Sequence, residues 1–356
     1  MILSNGRGHV KAPKQGHISV HEAFVTAIPL VLLALPPLAV AAGVDLYLTL
    51  LFLAAAPTTG LWETPLPGAL GDLDPPGVLV MVGAFYILEF AAERAPPSAL
   101  AWNALHAIIR PVSGALLALL LLDGQSLPIV VLGSLAGGLL TSVTHGVRSG
   151  GAVLRWLGTG KAPSLLLASL VEDVMVVGLV ALTLDLPVVA FAVTSAFCLV
   201  LTPFSGSLLR AFGYAIQLML GRVFVGFGLR RWRGADELPE WITRELEGDD
   251  ILTIGGALRG TPVGTWALPG APRFAVGWIV VRGGAPIFVY RKKRMVRRVD
   301  IGTMNARDLF ETDFFRRVDL VDPAWADRQK KGDPPFILFG LGGPSIESLR
   351  AEFVPP

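Results

Sequence analysis

The sequence predicts an α-helical polytopic membrane domain of about six transmembrane helices, each of roughly 20 apolar residues, followed by a small C-terminal β-rich (α+β) domain in water. Two observations carry this. Hydrophobic residues make up 53% of the 356 and charged residues 16%, with a mean hydropathy of +0.60; an ordinary globular domain is about 25% charged. The charge is also unevenly placed: residues 1–228 hold 21 charged side chains and residues 229–356 hold 37. A lipid-embedded part therefore precedes a water-exposed part, with the boundary near Leu229–Gly234. This composition excludes a disordered chain, a disulfide-rich module and a coiled coil. The single cysteine, Cys198, removes internal disulfides and cysteine-built zinc sites. A net charge of +2 gives no electrostatic ground for nucleic-acid binding.

The elements follow in order. A polar tail covers residues 1–22 and the membrane domain covers 23–228. Apolar runs place spans at Ile28–Ala56, Gly77–Ala95, Ala99–Leu122, Pro128–His145, Pro163–Leu184 and Pro187–Leu220. The first and last are long and contain breakers, Pro36, Pro37 and Gly43 in one and Pro203 and Gly206 in the other, so kinked or tilted helices are expected there. Ala39–Ala42 has the small residues of a signal-peptide cleavage site. The apolar run nevertheless continues to Ala56, which favours a retained span. Lys and Arg occur in the tail (Arg7, Lys11, Lys14) and after the second (Arg94), fourth (Arg148, Arg155, Lys161) and sixth spans (Arg222, Arg230, Arg231, Arg233). The other three loops have none. That alternation places both termini in the cytoplasm of a multi-pass inner-membrane protein.

An internal repeat is legible. Arg110-Pro-Val-Ser-Gly-Ala-Leu-Leu and Thr202-Pro-Phe-Ser-Gly-Ser-Leu-Leu share P-x-S-G-x-L-L. Glu89 and Glu172 stand mid-way in the second and fifth spans, and Gly43 and Gly137-Gly138 in the first and fourth. Two halves, 28–122 and 128–220, each with an odd number of spans, must sit inverted, a frequent transporter design with the site near the midplane.

Charges at that depth cost about 2.5–3.5 kcal/mol each on insertion scales and mark function when they occur. Asp45, Glu89, His106, Arg110, Glu172 and Asp173 form the expected polar cluster. His106 and Arg110 are four apart and share a helix face, as do Ser169 and Glu172, three apart. Four carboxylates against one guanidinium require protonation, a bound cation or water. Glu93, Arg94 and Arg148 are expected nearer the cytoplasmic face, where long side chains snorkel, and His145 is read as interfacial. The leading expectation is transport or permeation of a small solute or ion through midplane carboxylates. The alternative is a non-transporting scaffold whose cytoplasmic domain recruits a protein partner or anionic lipid.

Several of these stretches resemble an uncharacterised family of bacterial integral membrane proteins, domain-of-unknown-function family 4126. The resemblance rests on Glu89 through Glu93-Arg94-Ala-Pro96, on Trp102, His106 and Arg110-Pro111-Val112-Ser113-Gly114, and on His145-Gly-Val-Arg148 with Ser169-Leu-Val-Glu172-Asp173. It covers about residues 35–220. The chain departs from the pattern at Asp45, where the family has a basic residue, and at Gly158–Lys161, where an asparagine-containing stretch is missing. The resemblance implies a membrane protein and supplies no reaction.

A linker, 229–250, leads to the β-rich domain, 251–356. Strands are expected at Ile251–Ile254, Val263–Leu268, Phe274–Val281, Pro286–Tyr290, Val296–Ile301, Val318–Val321 and Phe336–Phe339, with helices at Asp236–Asp250, Ala306–Phe315 and Ser345–Phe353, giving a barrel or roll. Arg291, Lys292, Lys293, Arg294, Arg297 and Arg298 form the most basic run, a candidate contact for anionic lipid headgroups. Gly158-Thr-Gly-Lys161 lacks the first glycine and the Ser/Thr of a phosphate loop, and no H-E-x-x-H, G-x-S-x-G or G-x-G-x-x-G occurs. The sequence thus predicts no enzyme, no cofactor and no metal. The expected partners are the bilayer, a second copy of the chain, or a protein docked on the C-terminal domain.

Overall fold

The chain is described by a computed structural model over residues 30–60, 65–73, 75–93, 96–157, 165–224, 232–247, 258–282, 285–293, 295–302, 305–312, 315–321 and 335–353. Apolar helices come first: α1 (Leu30–Val44), α2 (Leu46–Thr58), α3 (Pro76–Ala92), α4 (Pro96–Leu121), α5 (Leu127–Trp156), α6 (Leu165–Asp185) and α7 (Pro187–Phe224). Among the described residues three stretches are long and apolar enough to cross a membrane by themselves: Ser98–Leu121, Leu127–Arg155 and Pro187–Leu220. Their outer faces carry exposed Leu132, Leu135, Leu199 and Val200. Apolar side chains turned outward on long helices are what a bilayer solvates, so this is a membrane protein.

The first expected span needs correction. Ile28–Ala56 is not one helix. Pro36 and Pro37 lie inside α1, and the break falls at Asp45, whose backbone is extended (φ −141°, ψ 105°). The Asp45 carboxylate accepts from the Leu48 amide at 2.8 Å and so caps α2. The chain turns back here. α1 runs alongside α5, with Leu35 at Gly133, the Ala39 carbonyl accepting from Thr141, and Gly43 at Thr144. α2 then runs against α3 in the opposite direction, with Tyr47 stacked on Phe85 and Leu51 at Gly83. It ends beside the turn Leu70–Leu73, where the Ala69 amide donates to Leu120 at the end of α4. With 15 and 13 residues, the two helices are each about 20 Å long. They form a V that enters and leaves at the same end of the bundle, its tip at Gly43–Asp45. A hydropathy window sees one apolar run because a reversal costs a single residue. The Lys/Arg alternation requires this run to cross. Instead Leu35 lies at the start of α5 and the C-terminal domain packs on Leu154 and Leu157 at its end, so Leu30 and the C-terminal domain stand at opposite ends of the bundle, against the expectation that both termini share one side; residues 1–22, with Arg7, Lys11 and Lys14, lie outside the described residues.

α4 and α5 pack closely through small residues. A Cβ on Gly137 would stand 2.8 Å from the Gly114 carbonyl, and one on Gly138 2.8 Å from that of Pro111. Close backbone approach of this kind is the usual contact between helices in lipid. The P-x-S-G stretch of α4 is thus a helix contact. Its counterpart in α7 lies on an exposed face, at Thr202, Pro203 and Gly206, and α7 continues through it unbroken.

The C-terminal part is an antiparallel sheet: β1 (Arg233–Gly234), β2 (Arg259–Trp266), β3 (Phe274–Arg282), β4 (Ala285–Lys292), β5 (Met295–Asp300), β6 (Asn305–Glu311), β7 (Phe315–Val321) and β8 (Phe336–Gly340), with α8 (Glu240–Glu247) and α9 (Ile346–Phe353). The order is β5-β4-β3-β2-β8-β7-β6, with β1 on β2. Among the described residues β5 and β6 are edges, so the sheet is open and does not close into the barrel that was one of the two expected forms, barrel or roll. The helix expected at Ala306–Phe315 is instead strand β6 and the start of β7. A bulge between Ala306 and Asp308 brings Ala306 and Leu309, three apart, to the same core, and this mimics a helical period. Ile251–Ile254 lies outside the described residues.

One face of the sheet buries Val263, Ile279, Phe288, Leu320 and Phe339 with α9. The other covers the bundle end: Trp266, Phe274, Phe315, Phe336 and Leu338 pack on Leu154 and Leu157 of α5 and Ala211, Tyr214 and Leu218 of α7. Polar contacts tie the two parts together. The Tyr214 hydroxyl donates to the Leu338 carbonyl at 2.6 Å, Arg210 donates to the Phe274 carbonyl at 2.8 Å, and Arg317 donates to the Leu157 carbonyl.

Candidate functional site

The tip of the α1–α2 V meets a buried ion pair. A helix C-terminus leaves carbonyls without intrahelical donors, and those of Gly43 and Val44 accept from one guanidinium nitrogen of Arg110, at 2.5 and 2.8 Å. The other nitrogen pairs with Glu89. Arg110 is fully buried and Glu89 is 2% exposed. The cation thus faces the negative end of the α1 dipole, while Asp45 sits at the positive end of α2.

A second guanidinium links this pair to the sheet end of the bundle. Arg148 on α5 donates to both oxygens of Glu93, at 2.6 and 2.8 Å, and to Glu172 on α6 at 2.7 Å, and lies 3.8 Å from Glu89. Arg155 reaches Glu172 at 3.8 Å. Asp173 accepts from Tyr86 at 3.0 Å. His106 stacks near Trp102, with Nδ1 at 2.8 Å from the Trp102 carbonyl and Nε2 at 3.0 Å from the Tyr47 hydroxyl. A carbonyl only accepts, so Nδ1 carries the proton, and a neutral ring takes the Tyr47 proton at Nε2. His145 places Nε2 at 3.1 Å from the Asn103 carbonyl and is buried between α4 and α5.

The structure joins Glu89, Arg110 and, through Arg148, Glu172 in one network. Asp173, His106 and Asp45 flank it with other partners. The sequence reading missed the two residues that bridge it. Their place near the span ends predicts a snorkelling layer for Arg148 and Glu93, yet they bind α3, α5 and α6 together. The signal was present in the spacing: Tyr86, Glu89 and Glu93 recur at three and four residues, and so do Thr141, His145, Arg148 and Ser149, which mark one face of each helix. Counting Glu93, Arg148 and Arg155 also reduces the apparent surplus of negative charge. Three carboxylates now face three guanidiniums, with Asp45 on an amide and Asp173 on a phenol. One oxygen of Glu89 and the Nε of Arg110 are buried without a hydrogen-bond partner.

In the β domain the basic run does not form one surface. Strand pairing puts Arg291 and Arg298 on the α8 side, where Arg291 lies over the Trp241 ring at 4.7 Å and Arg298 pairs with Glu245 at 3.2 Å. Lys292 and Arg297 face the other side, and Lys293, with φ 58°, makes the hairpin turn. Arg294 lies outside the described residues.

Helices broken at depth, a buried ion pair at the break and lipid-facing apolar surfaces define an integral membrane protein with a polar centre. Within that class, residues 32–205 match the model of a family described as Domain of unknown function (DUF4126), so the helical part of the chain is similar to that family. No curated protein and no solved structure matches the chain.

Proposed function

We propose that the protein passes a small solute or ion across the inner membrane, with the tip of the α1–α2 V as its moving part and Glu89 and Glu172 as the carboxylates that exchange charge. The observation carrying this is the contact of the broken-helix carbonyls, Gly43 and Val44, with the Arg110–Glu89 pair. Non-helical backbone at membrane depth persists only when buried in protein or lining a path, and transporters place broken-helix ends at their midplane site. α3 and α6, and α4 and α7, run in opposite directions, as an inverted repeat requires, whereas the V of α1 and α2 stands where the second half has the single helix α5. An apolar cavity of about 230 Å³ between α1, α6 and α7 borders Val44 and leaves room for the tip to shift. In this arrangement Arg148, held by Glu93 and Glu172, closes the side towards the β domain. The reading involves no bond-breaking step and keeps the β domain in the cytoplasm.

The nearly complete pairing of Arg148 favours a second reading, in which the network only locks the helices and the β domain recruits a partner. Liposomes loaded with a pH dye, under a potassium-diffusion potential, separate the two. Flux in the wild type that disappears in folded Glu89→Gln and Glu172→Gln variants supports translocation. Absence of flux, with both variants losing their monodisperse size-exclusion profile, supports the lock.

A further inference from the structure

We propose that the β4–β5 hairpin, with the β2–β3 turn beside it, is a docking corner that rests on the anionic headgroups of the bilayer in which the helices sit. The position follows from how α7 crosses the sheet. Leu218 lies at Gly340 on β8, Tyr214 bonds Leu338 on β8, and Arg210 bonds the Phe274 carbonyl at the start of β3. Moving back along α7 towards the bilayer therefore moves across the sheet from β8 to β3, and along the strands towards the β2–β3 turn. The next structure on that line is the turn of the β4–β5 hairpin. Lys292 stands two residues beyond the Gly277–Tyr290 pair and opposite Met295.

Depth follows from the sequence of α7. Arg210 is its first charged side chain after Pro187, which leaves an uncharged helix of about 35 Å, close to a hydrocarbon thickness of about 30 Å. Arg210 thus marks the headgroup layer, and the hairpin turn lies at that level or nearer the hydrocarbon. The chemistry matches the place. Residues 267–273 and 291–298 contain no carboxylate. Lys292, Lys293 and Arg297 are exposed there, and Met295 is 56% exposed, while Arg273 lies over the Trp266 ring at 5.1 Å. Cations around an exposed apolar tip suit a surface that offers anionic headgroups over acyl chain. Arg291 and Arg298 are excluded, because Trp241 and Glu245 hold them against α8.

The test uses the full chain with Cys198→Ser, so that an introduced cysteine is the only one. Met295→Cys carries a fluorophore in nanodiscs containing headgroup-proximal spin-labelled lipid. Phe310→Cys, on the opposite edge strand and 48% exposed, is the control. The expected result is quenching at 295 and little at 310. It should be stronger with phosphatidylglycerol than with phosphatidylcholine alone, and weaker in high salt or with Lys292→Glu, Lys293→Glu and Arg297→Glu combined. Equal quenching at 295 and 310, or none at either, would overturn the placement. Quenching at 295 that ignores lipid charge, salt and the triple substitution would overturn headgroup recognition. A size-exclusion profile matching the parent shows that each labelled protein is folded.

Discussion

At the scale of residues, the Arg110–Glu89 pair decides whether the bundle centre holds. Both charges have been removed from water, and their mutual attraction, with the Gly43 and Val44 carbonyls, offsets that cost. Removing one partner leaves a bare charge, which typically costs about 3–5 kcal/mol, whereas replacing both by apolar residues is often near neutral. Glu89→Ala should therefore lower the thermal unfolding midpoint in detergent sharply, and Arg110→Met combined with Glu89→Leu should recover much of the loss. A double variant no more stable than Glu89→Ala would mean that Arg110 acts mainly through the α1 carbonyls. Arg148 poses a geometric demand. It spreads donors over Glu93 and Glu172, and a lysine ammonium is a point charge without that fork. Arg148→Lys should loosen the joint between α3 and α6, read as faster amide exchange in both helices.

At the scale of elements, the V depends on a single capped residue. Asp45→Ala removes the carboxylate that accepts from Leu48, and loss of such a cap costs about 0.5–2 kcal/mol. Asp45→Asn keeps an acceptor and should retain most of the stability, which thermal unfolding of the two variants checks. The crossing of α5 over α7 is equally specific. A Cβ on Gly150 would run into the backbone carbonyl of Leu208, and backbone cannot rotate aside as a side chain can. Gly150→Ala should destabilise by about 1–3 kcal/mol, the usual cost of overpacking. Gly178→Ala, on α6 with nothing within 4 Å of the new carbon, is the matched control and should melt like the parent.

For the whole molecule, the question is whether the β domain moves with the bundle. Its contact face joins Phe274, Phe336 and Leu338 to Tyr214 and Leu218 in one buried cluster, and the Tyr214 hydroxyl is the central polar tie. Tyr214→Phe removes one hydrogen bond to a carbonyl in mid-strand between β2 and β7, for a cost of about 0.5–1.5 kcal/mol. Amide exchange in β8 and in the last turns of α7 should then speed up, while flux, if the bundle alone conducts, stays unchanged. Coupled loss of protection and flux would make the sheet part of the moving unit.

Composition and charge placement were enough to determine that a membrane part precedes a water-exposed part, since burial in lipid selects residue types directly. They also marked Glu89, Arg110 and Glu172, because a charge in an apolar run is conspicuous whatever its partner. Among the described residues, strand positions were legible for the same local reason, except where the bulge at Ala306–Asp308 broke the alternation. Only the tertiary structure decided that the first apolar run reverses at Asp45, because hydropathy records burial and not direction. Only it made Arg148 and Glu93 central, since an ion pair depends on which helix faces which. The division of the basic run between the two sides of a sheet was likewise fixed by strand pairing, which a list of charges along the chain does not contain.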